Sequence, residues 1–533
     1  IVELIIQEFN LRSNPEQLRA FNLIARHFVS GSQEQLLLYI AGVGGSGKSF
    51  VIHAVVELFK RCGMSDKLLL SAPTGCAAVL IDGFTIHALT FLPKKKDEKP
   101  GMHTAELNAI WKNVRYLILD EISMVSAPLL ADICNRLNEA LGERLIGVDA
   151  LFGDINVILL GDMGQLRPVN SPSLFSRELV NQISPNVRET TAGVGSLYGA
   201  WIWREFRKVV ILRKNFRSLG DPAYTNLLAR VRLGKAWDGN QPLTSDQLGV
   251  GPNYLISDFQ VLQSRQLQRL PLAEREMFAD APIICSTKLV RDFINRRLTL
   301  NHAQNTRTEV HDYHARDKFS GLDLTEALSQ CAWQMRSTDT DDALGKLPLS
   351  IGMRVMVTEN LALKISVVNG AEGVLREIHY STDSKGRRYA DCAYVEIPGS
   401  NFNMDGRDKD IVPIVPFTSY FRYKSKSGRS FPITRKQLPL LPAYAFTDYK
   451  AQGKSLRRVI VDLNGARSLQ SLYVMISRAT SLKSVAVLRN FTSRTLYGRL
   501  GEEFRDELAR LERLDAITRI EYEASTSDMD TSE

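Results

Sequence analysis

Residues 42–49, Gly-Val-Gly-Gly-Ser-Gly-Lys-Ser, constrain the fold more than any other stretch, because they fit the phosphate-binding pattern G-x-x-x-x-G-K-[ST]. An apolar run over residues 36–41 precedes this loop, and residues 50–59 carry apolar side chains at helical spacing. The loop is therefore expected to join a buried parallel strand to a helix, where backbone N–H groups and the helix start favour phosphate. These flanks disfavour the alternative, a glycine-rich turn without a ligand.

This loop predicts a site for a nucleoside triphosphate. Lys48 is expected to reach the outer phosphates, and the Ser49 hydroxyl is expected to ligate Mg²⁺. The other residues expected to cradle the phosphates are Gly42, Gly44, Gly45, Ser46 and Gly47. The loop alone does not indicate what hydrolysis would drive.

Two adjacent carboxylates follow the apolar run at residues 116–119. Asp120 is expected to hold Mg²⁺ beside Ser49, and Glu121 is expected to polarise the attacking water. Paired acids after a hydrophobic strand also arise by chance. Their position downstream of a phosphate-binding loop, in a βα pattern, favours a catalytic role.

Two glutamines are further candidates. Gln165 follows a predicted strand at residues 156–161 and could sense the γ-phosphate, although a simple strand-to-loop turn is the alternative. Gln17 lies at the start of a helix that Asn14 can cap and that Pro15 suits. Its amide could pair with an adenine edge, whereas a solvated glutamine is the alternative.

Composition narrows the class of protein. A chain of 533 residues is too long for one core, and about three or four folded units are expected. The net charge of +8 favours an anionic partner, nucleic acid above all. The six cysteines are scattered without a C-x-x-C pair, which is typical of an intracellular protein. No apolar run approaches membrane-spanning length, and the start at Ile1 without Met predicts a piece of a longer protein.

The second half of the chain predicts another α/β unit. The boundary is expected just before the strand at residues 209–212, and residues 281–285 and 290–295 read as a strand and a helix. A charged stretch at 94–100 predicts a protruding loop, and the acidic, Ser- and Thr-rich end from 521 to 533 predicts disorder.

Short alternating strands are expected from residue 378 to residue 435. Within them, residues 420–426 interleave aromatic and basic side chains. In a strand, Phe421 and Tyr423 would share one face, and Arg422, Lys424 and Lys426 would share the other. Two interpretations remain open: a core face with a solvated face, or a small β-barrel that grips a single strand.

Together these stretches resemble a superfamily 1 DNA helicase of the petite-integration-frequency (Pif) type, a group that includes transposon-borne, Helitron-like helicases. The resemblance covers about residues 14–490, with the motifs in the family's order. Residue by residue, Gln17 matches the adenine-sensing motif, 42–49 the first helicase motif, Asp120 and Glu121 the second, and Gln165 the third. Arg217 matches the arginine of motif four, and Arg478 matches that of motif six.

The resemblance also implies residues that contact DNA and one more residue at the nucleotide. The implied DNA contacts are Pro73, Thr74, Thr85, His87, Thr447 and Lys450, and Gly453 of motif five is the added nucleotide contact. The chain departs from the family pattern at three places. Arg167 stands where Pro is usual, Asp448-Tyr449 replaces an apolar residue and His, and Asp154 replaces the second Gly of a signature turn.

The implied protein is an α/β ATP-dependent 5′→3′ DNA helicase with two tandem RecA-like P-loop lobes, ATP and Mg²⁺ as cofactors, and arginines reaching the nucleotide from the second lobe. The implied partners are single-stranded DNA and tailed or forked duplex DNA. The implied protein acts as a monomer and does not associate with a membrane. The implied setting is repair, recombination, telomere maintenance or transposition in the nucleus, or alternatively in the mitochondrion. An ATP-switched DNA-binding protein that does not translocate, and a small-molecule kinase, are the alternative functions.

The expected domain organisation combines the resemblance with the composition of the segments. Its parts are an N-terminal extension (1–13), a first lobe (14–208) with a small wedge (about 88–110), a first part of the second lobe (209–377), an SH3-like β insertion (378–435), the remainder of the second lobe (436–500), and a C-terminal helix with a disordered acidic tail (501–533).

Overall fold

The computed structural model describes residues 1–93, 104–142, 150–176, 191–239, 256–424 and 428–530. The chain divides into two compact units. The first unit holds Ile1–Phe259, Ser468–Leu482 and Ser493–Glu533, and the second holds Gln260–Arg467 and Lys483–Thr492. The phosphate-binding loop and the segment around Arg478 therefore lie in the same unit.

Helices and strands alternate through the first third of the chain, and strands dominate its middle. In chain order the strands are β1 (Leu37–Gly42), β2 (Leu68–Ala72), β3 (Phe84–Thr85), β4 (Tyr116–Leu119), β5 (Asn156–Gly161), β6 (Lys208–Leu212), β7 (Ile283–Cys285), β8 (His311–His314), β9 (Arg316–Phe319), β10 (Leu322–Asp323), β11 (Lys346–Leu349), β12 (Arg354–Val357), β13 (Glu372–Thr382), β14 (Arg388–Glu396), β15 (Ile411–Ile414), β16 (Phe417–Lys424), β17 (Ser430–Gln437), β18 (Leu440–Pro442), β19 (Ala445–Thr447), β20 (Val459–Val461) and β21 (Val485–Val487). The helices are α1 (Val2–Glu8), α2 (Pro15–Ser30), α3 (Lys48–Arg61), α4 (Gly75–Leu80), α5 (Ile86–Thr90), α6 (Thr104–Trp111), α7 (Ala127–Ala140), α8 (Thr191–Glu205), α9 (Pro222–Arg232), α10 (Asp258–Ser264), α11 (Leu272–Glu276), α12 (Lys288–Thr306), α13 (Glu326–Trp333), α14 (Asp448–Ala451), α15 (Leu469–Ile476), α16 (Ser493–Leu496) and α17 (Glu502–Asp530).

A parallel sheet organises the first unit. In the described residues its strand order is β3-β2-β4-β5-β1-β6, and β1 pairs in parallel with β5 on one side and β6 on the other. Buried apolar residues of α2 and α3 pack with residues of β1, β5 and β6 in one core cluster. Because the strands are parallel, their carboxyl ends share one edge, and the segments after β1, β2, β4, β5 and β6 all begin there.

Helix α17 covers the outer strand of this sheet. Strand β6 lies at the end of the strand order, so its backbone N–H groups have no partner strand on one side. Thr518 Oγ1 accepts a hydrogen bond from Val209 N at 3.0 Å, and Asp515 Oδ1 accepts one from Ile211 N at 3.1 Å. Side chains of α17 thus replace a neighbouring strand.

The second unit contains a parallel sheet and two largely antiparallel sheets within its described part. The parallel sheet has the order β19-β7-β20-β21, and its core includes Ile283, Ala445 and Ile460. One antiparallel sheet has the order β11-β8-β14-β13-β12-β18 with β15 added to β14, and the other has the order β10-β9-β17-β16. The structure thus confirms the strand predicted at residues 281–285 and the helix predicted at 290–295.

Three predictions about segments need correction. The boundary before residue 209 is wrong, because β6 pairs with β1 and completes the first sheet. The β-rich part extends from β8 to β18, beyond 378–435, because strands outside that range pair into the same sheets. The tail is helical through Asp530, so the prediction of disorder from residue 521 is wrong over 521–530.

Some predicted segments lie outside the described residues. The charged loop at 94–100 and much of the predicted wedge at 88–110 belong to this group, as do Lys426 and the last residues, 531–533. Among the helices that are described, none combines the length and apolar character needed to cross a membrane.

Candidate nucleotide-binding site

The predicted phosphate-binding loop joins β1 to α3, as expected. Gly45 and Gly47 have φ values of 89° and 85°, a backbone conformation that L side chains rarely adopt. The Lys48 ammonium donates to the carbonyl oxygens of Gly42 and Val43 at 2.7 and 3.3 Å. Ser46 is fully buried, and its hydroxyl oxygen has no hydrogen-bond partner in the described structure. The loop therefore offers polar groups that a phosphate could engage.

Gln17 contacts this loop directly. Its side-chain amide donates to the Ser46 carbonyl oxygen at 3.1 Å, and Asn14 Oδ1 accepts from the Gln17 backbone N–H at 3.2 Å. Asn14 thus caps α2, as predicted, and fixes the residue that touches the loop. The Gln17 side chain is 4% exposed, which excludes the alternative of a solvated glutamine.

The paired acids follow β4 at the same sheet edge. Glu121 has a positive φ of 53°, and its backbone N–H donates to Asp120 Oδ1 at 2.8 Å. Burial, with the Glu121 charge as a smaller cause, raises the pKa of Asp120 to about 7, while Lys48 acts to lower it. The two carboxylates therefore form a buried concentration of negative charge close to the loop lysine.

Gln165 lies in a turn held by an ion pair that the sequence did not reveal. Asp162, which follows β5, accepts from the Gly164 N–H at 3.0 Å and from the Gln165 amide at 3.4 Å. Arg232 of α9 donates to Asp162 Oδ1 from Nε at 3.0 Å and from Nη2 at 2.6 Å. Burial acts to raise the pKa of Asp162, but the charge and hydrogen bonds of Arg232, together with Lys48 and the Gly164 N–H, hold that pKa below its usual range.

Two arginines face the loop from different segments of the first unit. A β-carbon built on Gly44 would lie 3.2 Å from Arg217 Nη1, 3.3 Å from Arg478 Nη2 and 3.6 Å from Gln165 Nε2. The Phe216 N–H donates to the Gly45 carbonyl at 2.8 Å, which anchors the segment of Arg217 on the loop. Nitrogen donors thus converge at a single loop position.

The arginines are held by the backbone around them. Arg217 Nη1 donates to the Ser477 carbonyl at 2.9 Å, and Arg478 Nε donates to the Val474 carbonyl at 2.9 Å. Burial lowers the pKa of Arg217 to about 10, and the neighbouring charge of Arg478 adds to this effect. Burial also lowers the pKa of Arg478, while the Glu121 charge opposes that shift.

The expected arrival of these arginines from the second lobe is not what the structure shows. Arg217 follows β6, which belongs to the sheet of the loop itself. Arg478 follows α15, which belongs to the first unit and whose Ile476 carbonyl accepts a hydrogen bond from the Tyr224 hydroxyl of α9. Both arginines therefore belong to the same compact unit as the phosphate-binding loop.

The residues predicted to contact DNA fall in two groups. In the first unit, Pro73 and Thr74 follow β2, whereas Thr85 ends the adjacent strand β3 and His87 lies in α5. Thr74 caps α4 by accepting from the Ala77 N–H at 3.3 Å, and Thr85 is 4% exposed. Adjacent strand ends thus bring these two motifs to one edge of the sheet.

The remaining motif-five residues lie in the second unit. Thr447 ends β19 and precedes α14, where the Lys450 ammonium donates to Asn369 Oδ1. Gly453 has a φ of 84°. These residues form a turn after the parallel sheet of that unit, a position that corresponds to the strand-end segments of the first unit.

The fold and this site define an α/β protein with tandem RecA-like P-loop lobes. The model of the PIF1-like helicase family matches residues 12–240, and these comparisons confirm the resemblance to Pif-type helicases that the motifs predicted. The chain is 26% identical over 507 residues to the ATP-dependent DNA helicase PIF7 of Trypanosoma brucei brucei, covering 89% of this chain and 46% of that protein. It is 25% identical over 488 residues to the ATP-dependent DNA helicase PIF1 of Xenopus laevis, covering 89% and 62%.

Solved structures show the same fold. The Candida albicans Pif1 helicase matches with a TM-score of 0.61 and 22% identity, covering 93% of this chain and 98% of that one. A Bacteroides Pif1 helicase in complex with ADP-AlF3 and single-stranded DNA matches with a TM-score of 0.62 and 22% identity, covering 93% and 96%. The chain spans 46% and 62% of the curated relatives from Trypanosoma and Xenopus.

Proposed function

We propose that this chain is an ATP-dependent DNA helicase that moves 5′→3′ on single-stranded DNA and separates tailed, forked or structured duplex. The observation that carries the proposal is the convergence of Arg217, Arg478 and Gln165 at Gly44 of the phosphate-binding loop. Cationic and amide donors beside such a loop suit the charge that develops on a transferred phosphoryl group. The relatives named ATP-dependent DNA helicases support the same activity.

In the proposed reaction the loop binds the triphosphate of ATP and Lys48 neutralises its outer phosphates. Glu121 orients the attacking water, and Gln165 contacts the γ-phosphate. Arg217 and Arg478 stabilise the negative charge of the transition state, for which one such arginine contributes about 10³ or more in rate. Gln17 completes the nucleotide contacts on the first unit, whereas Gly453 lies in the second unit and its assignment rests on the resemblance alone.

Ser49 and Asp120 would hold Mg²⁺. A hydroxyl and a buried carboxylate are the hard oxygen ligands that this cation prefers, and Asp120 lies within the electrostatic reach of Lys48 and Glu121. Bound there, Mg²⁺ supplies further neutralisation of the phosphate charge.

Coupling to the second unit follows from the path of the chain. The chain runs from β20 of the second unit into α15 of the first unit and then back to β21 of the second unit. Strands β20 and β21 are adjacent and parallel. A displacement of Arg478 on nucleotide binding is therefore transmitted through both ends of this short segment. We propose that this transmission moves the motif-five residues Thr447 and Lys450 along DNA, while Pro73, Thr74, Thr85 and His87 hold it on the first unit.

The biological setting is proposed as maintenance of intracellular DNA by a monomer, through repair, recombination, telomere maintenance or transposition. The nucleus is the proposed compartment, with the mitochondrion as the alternative. All six cysteines are free thiols in the structure, which fits a reducing compartment.

The experiment is a comparison of ATP turnover with and without single-stranded DNA in the wild-type chain and in Lys48→Ala. Wild type should show strong stimulation by DNA. The variant should lose turnover and duplex unwinding while its circular dichroism spectrum stays unchanged. Unchanged unwinding by Lys48→Ala would refute the proposal. DNA binding gated by ATP without unwinding would identify an ATP-switched binding protein instead.

A further inference from the structure

The sheet of β9, β17 and β16 has two faces of opposite character. Cross-strand pairing places Tyr420 opposite Thr434, and Thr434 opposite Lys318. The next row towards the end of β17 places Lys436 opposite Arg316. Residues directly opposite each other in an antiparallel sheet point to the same side. These residues therefore share one face. Arg422 and Lys424 lie on the same face, because they follow Tyr420 on β16 at spacings of two and four residues. We call this face the basic face; it comprises Arg316, Lys318, Tyr420, Arg422, Lys424 and Lys436.

The opposite face anchors the sheet to the second unit. Arg435 donates to both carboxylate oxygens of Asp317 at 2.7 Å, and their side chains are 0% and 1% exposed. Arg435 also donates to the Ala332 and Ala343 carbonyls at 2.7 and 2.9 Å, and its guanidinium lies over the Phe421 ring. A one-residue slip of register would turn the basic side chains inward and bury them. The buried contacts of Arg435 therefore fix the register in which the basic face is exposed.

Positive charge dominates the basic face. Arg422, Lys424 and Lys436 are exposed, and the side chain of Lys318 is 49% exposed. Two carboxylates compensate part of this charge: Asp323 of the edge strand β10 lies 3.6 Å from Lys318, and Asp391 of β14 lies 3.3 Å from Arg316. The remaining excess of bases is carried by Arg422, Lys424 and Lys436. Such an excess of bases on a flat surface is complementary to a polyanion.

An exposed aromatic ring lies among these bases. Tyr420 is 66% exposed, although it occupies the middle of β16 and has strand neighbours on β17. Aromatic rings on a basic surface are the stacking platforms by which proteins bind unpaired bases, whereas a duplex offers no free base face to stack on. This combination favours a single strand over a duplex.

We propose that the basic face is a second binding surface for single-stranded DNA. In it Arg422, Lys424 and Lys436 contact phosphates and Tyr420 stacks on a base. The proposal depends on the proposed function for the identity of the polymer as DNA. It gives the interleaved residues 420–424 a role that the motifs of the nucleotide site do not supply.

The test uses the whole chain without nucleotide and a labelled oligonucleotide of about 30 residues, with fluorescence anisotropy measured at several salt concentrations. The triple variant Arg422→Glu, Lys424→Glu, Lys436→Glu should weaken binding at least tenfold. It should also reduce the slope of log K against log salt by about two, since about 0.7 is lost per phosphate contact on a single strand. The matched control, Arg296→Glu, Arg297→Glu, Lys409→Glu, changes exposed bases elsewhere in the unit and should stay within threefold of wild type.

Tyr420 separates stacking from charge. Tyr420→Ala should weaken binding about tenfold with an unchanged salt slope, because a stacked base is worth about 1–3 kcal/mol, and Tyr420→Phe should bind as wild type does. Equal effects of the two triple variants, or an unaffected Tyr420→Ala, would overturn the proposal. ATP turnover at saturating DNA should remain normal in all of these variants. A wild type without DNA-stimulated turnover would instead count against the proposed function alone.

Discussion

Arg232 shows how a residue remote from the loop can shape the nucleotide site. Its guanidinium donates from two nitrogens to the buried Asp162 carboxylate, and that carboxylate accepts from the backbone and side chain of the turn carrying Gln165. Asp162 is 1% exposed, so its charge is compensated by the protein rather than by water. Arg232 is therefore a positioning residue for Gln165.

Replacement of Arg232 by Met should destabilise the first unit by about 3–5 kcal/mol, because an unpaired buried carboxylate remains. Thermal unfolding followed by circular dichroism measures this loss. The control is Arg336→Met, which breaks the Arg336–Asp339 pair, whose side chains are 73% and 39% exposed. That change should cost less than about 1 kcal/mol. Equal losses for the two variants would show that Asp162 is not held as described.

The two arginines at the loop give a prediction about rate. Arg217→Ala and Arg478→Ala should each lower kcat for ATP by about 10³, because each removes positive charge from the transition state. Binding of ATP, measured by calorimetry, should weaken far less. Lys214→Ala is the matched control, since that exposed base lies over the Phe216 ring and should leave kcat unchanged. A kcat within threefold of wild type in both arginine variants would contradict their assigned role.

Individual site residues could be predicted from the sequence where each belongs to a short local motif. Lys48, Asp120 and Glu121 were predicted because each belongs to a short pattern beside an apolar strand. Arg232 could not be predicted, because its partner Asp162 is 70 positions away and no spacing rule links α9 to the end of β5. The contact of Gln17 with the Ser46 carbonyl likewise depends on tertiary structure.

Helix α17 is the element whose role was least visible in the sequence. Its last part is acidic and rich in Ser and Thr, a composition that predicts disorder, yet it is helical to Asp530. Contacts with α2 account for the difference: Asn22 donates to the Tyr522 hydroxyl at 2.8 Å, and the Arg26 guanidinium lies over the Tyr522 ring. Tertiary contacts thus outweigh composition here.

The cover that α17 provides for β6 can be tested with one side chain. Thr518→Val keeps the shape of the side chain but removes the acceptor for the Val209 N–H, which should cost about 1–3 kcal/mol for a buried donor left unpaired. Denaturant unfolding measures this cost. Arg519→Ala, at an exposed position of the same helix, should cost less than about 0.5 kcal/mol. If Thr518→Val is as stable as wild type, β6 does not depend on this helix.

For the whole molecule, the class of fold was predictable, but the division of the chain was not. Alternation of apolar strands and helices around the loop predicted the parallel sheet. The predicted boundary failed because β6 resembles the first strand of a new unit, although it pairs with β1. Segment Ser468–Leu482 joins the first unit although the chain on both sides of it belongs to the second, an arrangement that no local composition reveals.

This connectivity changes how binding of the nucleotide can be coupled to movement on DNA. With Arg217 and Arg478 in one unit with the loop, the nucleotide site does not need a second lobe to supply its arginines. The second unit is linked to the site through the two ends of α15, and this link is the proposed route by which hydrolysis moves the motif-five turn, which we propose contacts DNA.

The most direct test is a strand-separation assay on two duplexes that differ only in whether their one single-stranded tail ends 5′ or 3′. With ATP, we expect rapid separation of the 5′-tailed duplex and little separation of the 3′-tailed one, and with a non-hydrolysable ATP analogue we expect none. Equal separation of both substrates, or separation that persists with the analogue, would contradict the claim that ATP hydrolysis drives directed movement.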